Sequence, residues 1–297
     1  MKRKAAGIFY GAVGAVCYGT NPLFALHLYS QGFEANSVLF YRYFTAVVLF
    51  GLWTSLVKKI SLKPALKEIF PMLFAGLMFA FSSLTLFKSY SYIDGGIASV
   101  ILFVYPVFVA LIMALGYKEK LPKTTIFSIL LVLLGIFLFY KGKDGQDLNL
   151  TGLILVFISA LSYAVYMVLV KKNDVLKHIN ASKLTFYVML FGLSVFVYNL
   201  NFCRDLQPIT APIQVFDVLM LAVLPTIVSI ETLTLSIKLI GPTLSAIISA
   251  LEPVSAMIFC VVFFHEQVTF KILLGIVAIL AAVYLIIAQS QSKTKKA

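Results

Sequence analysis

Charged side chains set inside long apolar runs are the residues of this chain best placed to do chemistry. A central Arg, Lys or Asp costs about 2.5–3.5 kcal/mol even on lenient insertion scales, so such a group is expected to have a partner, a cavity or a task. Glu252 is the deepest, within SAIISALEPVSAMIFCVVFF at 245–264. Pro253 follows it and denies the Ser249 carbonyl its normal helical donor. Ser245, Ser249, Glu252 and Ala256 recur at three- and four-residue spacing and so share one helix face. A polar stripe holding a carboxylate and a freed carbonyl suits a cavity wall; a clamp that pairs Glu252 between helices is the equal alternative. Glu231 stands among Thr226, Ser229, Thr232 and Thr234, either as a second cavity carboxylate or as the ion-pair partner of a neighbouring helix. Left unpaired in low dielectric, the two carboxylates would suit proton coupling.

Arg42, flanked by Tyr41 and Tyr43, lies a few residues inside its run. It is expected to snorkel to the interface within an aromatic belt rather than to bind a substrate carboxylate. Lys88 reads the same way. Arg42 and Lys88 balance Glu231 and Glu252, which fits a zwitterionic solute such as an amino acid, and equally fits internal pairing. Asn21-Pro22 interrupts another run. Pro removes a backbone donor and Asn can satisfy freed groups, so a kink or gate is expected there. Tyr18, Tyr105 and Tyr163 are cavity-wall candidates, although tyrosine also serves packing and belts. His27, His178 and His265 are isolated at span ends. Cys17, Cys203 and Cys260 are widely spaced, so no metal or other cofactor is expected.

These groups must be positioned by membrane-spanning helices. Of the 297 residues, 61% are hydrophobic and 12% charged, with mean hydropathy +0.99. That is about half the charge of an ordinary soluble domain. Crossing roughly 30 Å of hydrocarbon takes about 20 helical residues. Ten spans are expected, at 6–28, 38–57, 69–90, 95–116, 124–140, 151–170, 183–200, 215–236, 243–264 and 269–289. Short connectors such as Lys63-Pro64, Leu121-Pro122 and Gly241-Pro242 separate them. The net charge of +12 lies in those connectors, so it reports topology rather than a nucleic-acid partner. With the N-terminus cytoplasmic, inside segments carry 18 Lys/Arg and outside segments 5. That bias sets orientation, places both termini inside and makes the first run an uncleaved span.

The chain also repeats itself. ASVILFVYPVFVALIMALGYKE at 98–119 aligns with SAIISALEPVSAMIFCVVFFHE at 245–266, offset 147, matching Pro106 to Pro253 and Glu119 to Glu266. Gly7, Ala15 and Tyr18 align with Gly152, Ala160 and Tyr163 at offset 145; Ser82 and Thr85 align with Ser229 and Thr232 at 147. Copies joined after five spans must be inverted relative to one another, the usual framework of a secondary transporter with its site near the midplane. Pro106, Pro253 and Pro22 are read as hinge elements. Glu119 and Glu266 are read as anchors of the connection into the next span. The copies differ at Tyr105/Glu252 and Leu84/Glu231, where substrate contacts are expected.

The duplicated five-span unit, Tyr105-Pro106 and Glu252-Pro253, the helix-ending Glu119 and Glu266, and the opening Tyr18-Gly19-Thr20-Asn21 resemble the drug/metabolite transporter superfamily in its ten-helix EamA-like form. The resemblance covers the whole chain. It implies an all-α inner-membrane carrier built of two repeats, 1–145 and 146–297, moving a small metabolite by alternating access, with export expected and proton or exchange coupling open. A channel-like facilitator is the alternative. A membrane-embedded enzyme is a poorer one, since neither GxSxG, HExxH nor an intramembrane aspartate pair is present.

Overall fold

The computed structural model describes residues 2–118, 126–127, 130–131, 134–135, 138, 149–249 and 251–294, and every regular element among them is helical. The expected first span is two helices, α1 (Lys2–Gly19) and α2 (Asn21–Ser30). Pro22 leaves the Tyr18 carbonyl without its helical donor, and the Asn21 side-chain amide replaces it at 2.9 Å. The expected kink is therefore present, stabilised by its own sequence. The second span is α3 (Ala35–Leu52), which ends in a π-helical turn at Trp53–Val57. The third is α4 (Leu66–Ser89). The fourth is broken at Phe103–Val104 into α5 (Gly95–Leu102) and α6 (Tyr105–Tyr117). Glu119 and most of the expected fifth span lie outside the described residues.

The second half runs through α7 (Leu150–Lys172) and α8 (Ala181–Asn199). It continues in α9 (Pro212–Ala222), a π-helical segment (Val223–Val228) and α10 (Ser229–Ile248). Last come α11 (Leu251–Phe264) and α12 (Phe270–Thr294). Among the described residues, six stretches are long and apolar enough to cross a membrane: Ala35–Val57, Leu66–Ser89, Gly95–Tyr117, Leu150–Lys172, Ala181–Asn199 and Pro212–Ser236. Leu251–Phe264 and Phe270–Ala282 are shorter apolar helices.

No non-helical residue marks the expected connector at Gly241–Pro242, yet the chain reverses there. A Cβ on Gly11 would stand 2.7 Å from Ser236 Oγ and 3.2 Å from an Ile248 methyl. Twelve residues of straight helix would hold those atoms about 18 Å apart. Along α1, Gly7 meets Leu239 and Ile240, Gly14 meets Ser229 and Thr232, and Gly19 meets Glu252 and Ala256. The eighth span thus descends along α1 and the ninth climbs back beside it. Glycines let the backbones approach this closely.

Packing carries the repeat into space. α1 lies on α10 and α11, while its counterpart α7 lies on α4, α5 and α6. α3 packs on α8, its own counterpart, and α5 on α11. One contact is made twice: Gly7 is pressed against Leu239 and Ile240, and Gly152 against Tyr92 and Ile93, the same positions shifted by 145 and 147. One expectation is corrected. The Ser249 carbonyl, expected to be freed by Pro253, accepts from the Glu252 amide at 3.0 Å because the helix breaks just before Leu251.

Candidate functional site

A cavity of about 120 Å³ lies at the centre of the bundle. The engineered core cavity of roughly 150 Å³ that takes up benzene sets its scale. Its lining comes from both halves in pairs related by the repeat: Tyr18 with Tyr163, Ser82 with Ser229, Ser83 with Ile230, Leu86 with Leu233, Leu102 with Ser249, and Tyr105 with Glu252. The cavity therefore sits where the equivalent surfaces of the two repeats meet. Ser82/Ser229, Leu86/Leu233 and Tyr18/Tyr163 keep their identity, whereas Tyr105/Glu252 and Leu102/Ser249 break it. Gly14, Ala15, Asn21, Arg42, Phe79 and Phe87 complete the wall.

Arg42 departs from expectation. It is 3% exposed and faces the cavity instead of snorkelling to the interface. The reason is its helix face: Val38, Leu39, Arg42, Tyr43, Ala46 and Phe50 form the buried stripe of α3, with Phe44 and Val48 outward. That spacing was visible in the sequence and could have placed Arg42 inward. The guanidinium lies 5.5 Å from the Phe87 ring centroid, a cation–π arrangement. Its Nε has no hydrogen-bond partner, and among the described residues it makes no ion pair. A guanidinium cannot shed its charge, so the cavity presents a fixed cation in low dielectric.

Glu252 supplies a carboxyl group to the same cavity. Its carboxylate makes no ion pair among the described residues. Tyr18 stands within electrostatic reach of both Arg42 and Glu252. Tyr163 packs edge-on to Tyr105 at 4.8 Å and lies 6.0 Å from Phe79, which forms an aromatic wall beside the carboxylate. Ser82 and Ser159 hydrogen-bond across the halves at 3.1 Å, and Tyr43 bonds Ser83 at 2.8 Å, so part of the polar lining is already satisfied. Asn21 Oδ1 and Arg42 Nε are buried without partners. Unsatisfied buried polar atoms at a cavity call for a polar occupant.

Glu231 takes the ion-pair course. Both its oxygens accept from Lys58 Nζ, at 2.6 and 2.5 Å, and Lys58 also donates to Ser182 at 3.0 Å. Its neighbours Ser229 and Ile230 reach the cavity. Lys88 is exposed. The side chain of Ser245 lies outside the described residues. Pro106 and Pro253 flank the mid-span helix breaks of the two repeats, and Pro22 the break of the first span. Glu266 was expected to anchor the connection into the next span. It instead accepts from the Gly96 amide at 3.1 Å, tying the end of α11 to the start of α5 in the other half.

Sequence reasoning missed Asp217. It is 2% exposed within α9, lies 2.8 Å from His27 Nδ1 and accepts a hydrogen bond from Gln31 Nε2 at 3.3 Å. His27 is thus not isolated. An aspartate inside an apolar run was the available signal. Among the described residues no three His, Cys, Asp or Glu side chains gather as metal ligands would.

Known proteins resemble this chain in sequence and in fold. The chain is 24% identical over 279 residues to the uncharacterized transporter YcbK of Bacillus subtilis, covering 90% of this chain and 88% of that one. It is 24% identical over 221 residues to the uncharacterized transporter YdfC of the same organism, covering 71% and 69%. A solved crystal structure matches over 99% of both chains with TM-score 0.65 at 16% identity, a likeness of fold. The model of the EamA-like transporter family matches twice, at residues 5–141 and 150–288. With both halves matched, this chain belongs to the EamA-like transporter family of multi-pass membrane proteins.

Proposed function

We propose that the protein is a secondary carrier that moves a small zwitterionic solute, of amino-acid size, across the cytoplasmic membrane by alternating access. One observation carries the reading: the cavity on the repeat interface holds a guanidinium, Arg42, and a carboxyl group, Glu252, neither in an ion pair among the described residues. A buried charge is costly without a counter-charge, and a zwitterion supplies one to each pole. Arg42 would take the solute carboxylate through its planar fork, and Glu252 the ammonium. The tyrosine wall would contact the remainder. Family membership and the names of both relatives support transport. Export, through an inner membrane with both termini cytoplasmic, is the direction we favour.

Purified protein in liposomes, assayed by counterflow against a panel of labelled amino acids and simple organic acids or amines, tests this. Glu252→Gln and Arg42→Gln are each expected to lower zwitterion exchange by tenfold or more, the equivalent of about 1.4 kcal/mol, with membrane insertion unchanged. Arg42→Lys keeps the charge but loses the fork, and should recover only part of the activity. Full exchange by correctly inserted Glu252→Gln and Arg42→Gln proteins would overturn the assignment. An imposed pH gradient that drives uptake in the parent and not in Glu252→Gln would identify Glu252 as the proton-coupling group.

A further inference from the structure

Besides packing along α1, the eighth span, α9 through α10, sets an acid against a basic residue of the first half toward each end. At one end, buried Asp217 lies 2.8 Å from His27 Nδ1 and accepts a hydrogen bond from Gln31. At the lysine-rich end, Glu231 receives Lys58, which also bonds Ser182. Fourteen residues separate the two carboxylates, about 21 Å of helix, and the cavity residues Ser229 and Ile230 lie between or beside them. Also between them is the π-helical segment Val223–Val228, where Pro225 lacks a backbone donor and Thr226 Oγ1 is buried without a partner. A second π-helical turn, Trp53–Val57, ends immediately before Lys58, and its Thr54 Oγ1 is likewise buried and unpartnered.

The third span, its repeat counterpart, has one cross-half ion pair, Glu68–Lys183 at the lysine-rich end, and runs as continuous α-helix. At offset 147, Asp217 corresponds to Phe70 and Glu231 to Leu84, and Val223–Val228 corresponds to 76–81, regular α-helix inside α4. The repeat therefore kept the span twice but placed an acid partnered from the other half toward each end, with an underwound segment between them, in one copy only.

We propose that the eighth span is the moving gate of the carrier, with His27–Asp217 and Lys58–Glu231 as alternate latches and the π-helical segment as the hinge between them. A π turn holds one residue more than an α turn, so its conversion to α rotates everything beyond it by about 100° and advances it about 1.5 Å. That rotation carries Glu231 away from Lys58 while leaving Asp217 seated. Both latches are closed in this structure. Solute at Ser229 sits next to the hinge and can bias the conversion. The inference rests on the transport reading but needs no substrate to test.

The test is side-specific labelling of a Ser229→Cys reporter in a background with Cys17→Ser, Cys203→Ser and Cys260→Ala. A membrane-impermeant maleimide is applied to spheroplasts and to inside-out vesicles. Asp217→Asn is expected to raise labelling about tenfold from the His27 end only, and Lys58→Met about tenfold from the lysine-rich end only. Deletion of Thr226 removes the extra residue and leaves a regular α turn with Glu231 in its present register, so it should keep the lysine-rich end closed with Lys58 intact; an open lysine-rich end in that variant overturns the hinge. The reversal Lys58→Glu with Glu231→Lys should restore closure and serves if Lys58→Met fails to insert. Unchanged labelling, or equal rises from both faces, overturns the proposal. If the sidedness holds while no zwitterion is exchanged, the gate stands and the solute assignment fails; the reverse result removes the gate alone.

Discussion

At the scale of single residues, buried polarity is what separates site from scaffold. Glu252, Tyr18, Tyr105, Ser249 and Asn21 reach the cavity expected of them, Arg42 joins them from a face misjudged as interfacial, and Glu231 is engaged by Lys58. Glu266 makes a separate prediction. Burial pushes its carboxyl up to about 7, Asp94 adds to the shift, and the hydrogen bond from Gly96 together with the nearby Cys260 thiol opposes it. The folded protein therefore holds a proton that the unfolded chain has already released above the ordinary value of 4.5. Stability attributable to this group should fall as pH rises from about 4.5 to about 7. Melting of the detergent-solubilised protein across that window should show the decline, and Glu266→Gln should flatten it and melt higher above pH 7. An unchanged slope in the Gln variant would rule out Glu266 as its source.

At the scale of elements, close backbone approach fixes how helices meet around the cavity. A Cβ on Gly19 would come 2.8 Å from the Glu252 carbonyl oxygen and 3.0 Å from the Ala256 amide. Neither backbone atom can yield as a side chain would. Gly19→Ala should therefore cost about 1–3 kcal/mol, the usual range for overpacking, and should displace α11 with its Glu252. Gly116, in α6, has nothing within 4 Å of a built Cβ. Gly116→Ala should be neutral or stabilising, since Ala is the better helix former. A thermal-shift comparison of the two variants reads the difference; equal effects would deny the close contact its role. The break at Thr20 belongs to this scale too, because the donor lost to Pro22 and its replacement from Asn21 are adjacent in sequence.

At the scale of the molecule, equivalent residues of the two halves meet around the cavity. Polar ties between halves cluster at the two ends: Lys58–Glu231 and Lys183–Glu68 at one, His27–Asp217, Tyr41–Gln207 and Gly96–Glu266 at the other. The arrangement suits two halves that rock about a central site, since each end can part while the other stays tied. The orientation expected from the lysine bias, both termini cytoplasmic, predicts that a fluorescent protein fused after Ala297 fluoresces and that alkaline phosphatase fused there is inactive. Phosphatase inserted at Cys203, between α8 and α9, should be active. The opposite pattern would reverse every side named for the gate.

Composition, hydropathy and the internal repeat determined from the sequence alone that this is a helical membrane protein made of two related halves. Those signals are local or periodic, so they survive without knowledge of which helices touch. The positions of Pro22, Pro106 and Pro253 likewise announced broken spans, because a missing donor is a property of one residue. Which charges find partners was decided only by the tertiary structure. Glu231 and Glu252 look alike in sequence, each an acid in an apolar run. One meets Lys58 from 173 residues away and the other opens onto the cavity. Asp217 and His27, unremarkable apart, become a contact only when α2 and α9 are side by side. Pairing depends on helix rotation and on neighbours remote in the chain, and a rotation of one residue, about 100°, exchanges a buried face for an exposed one.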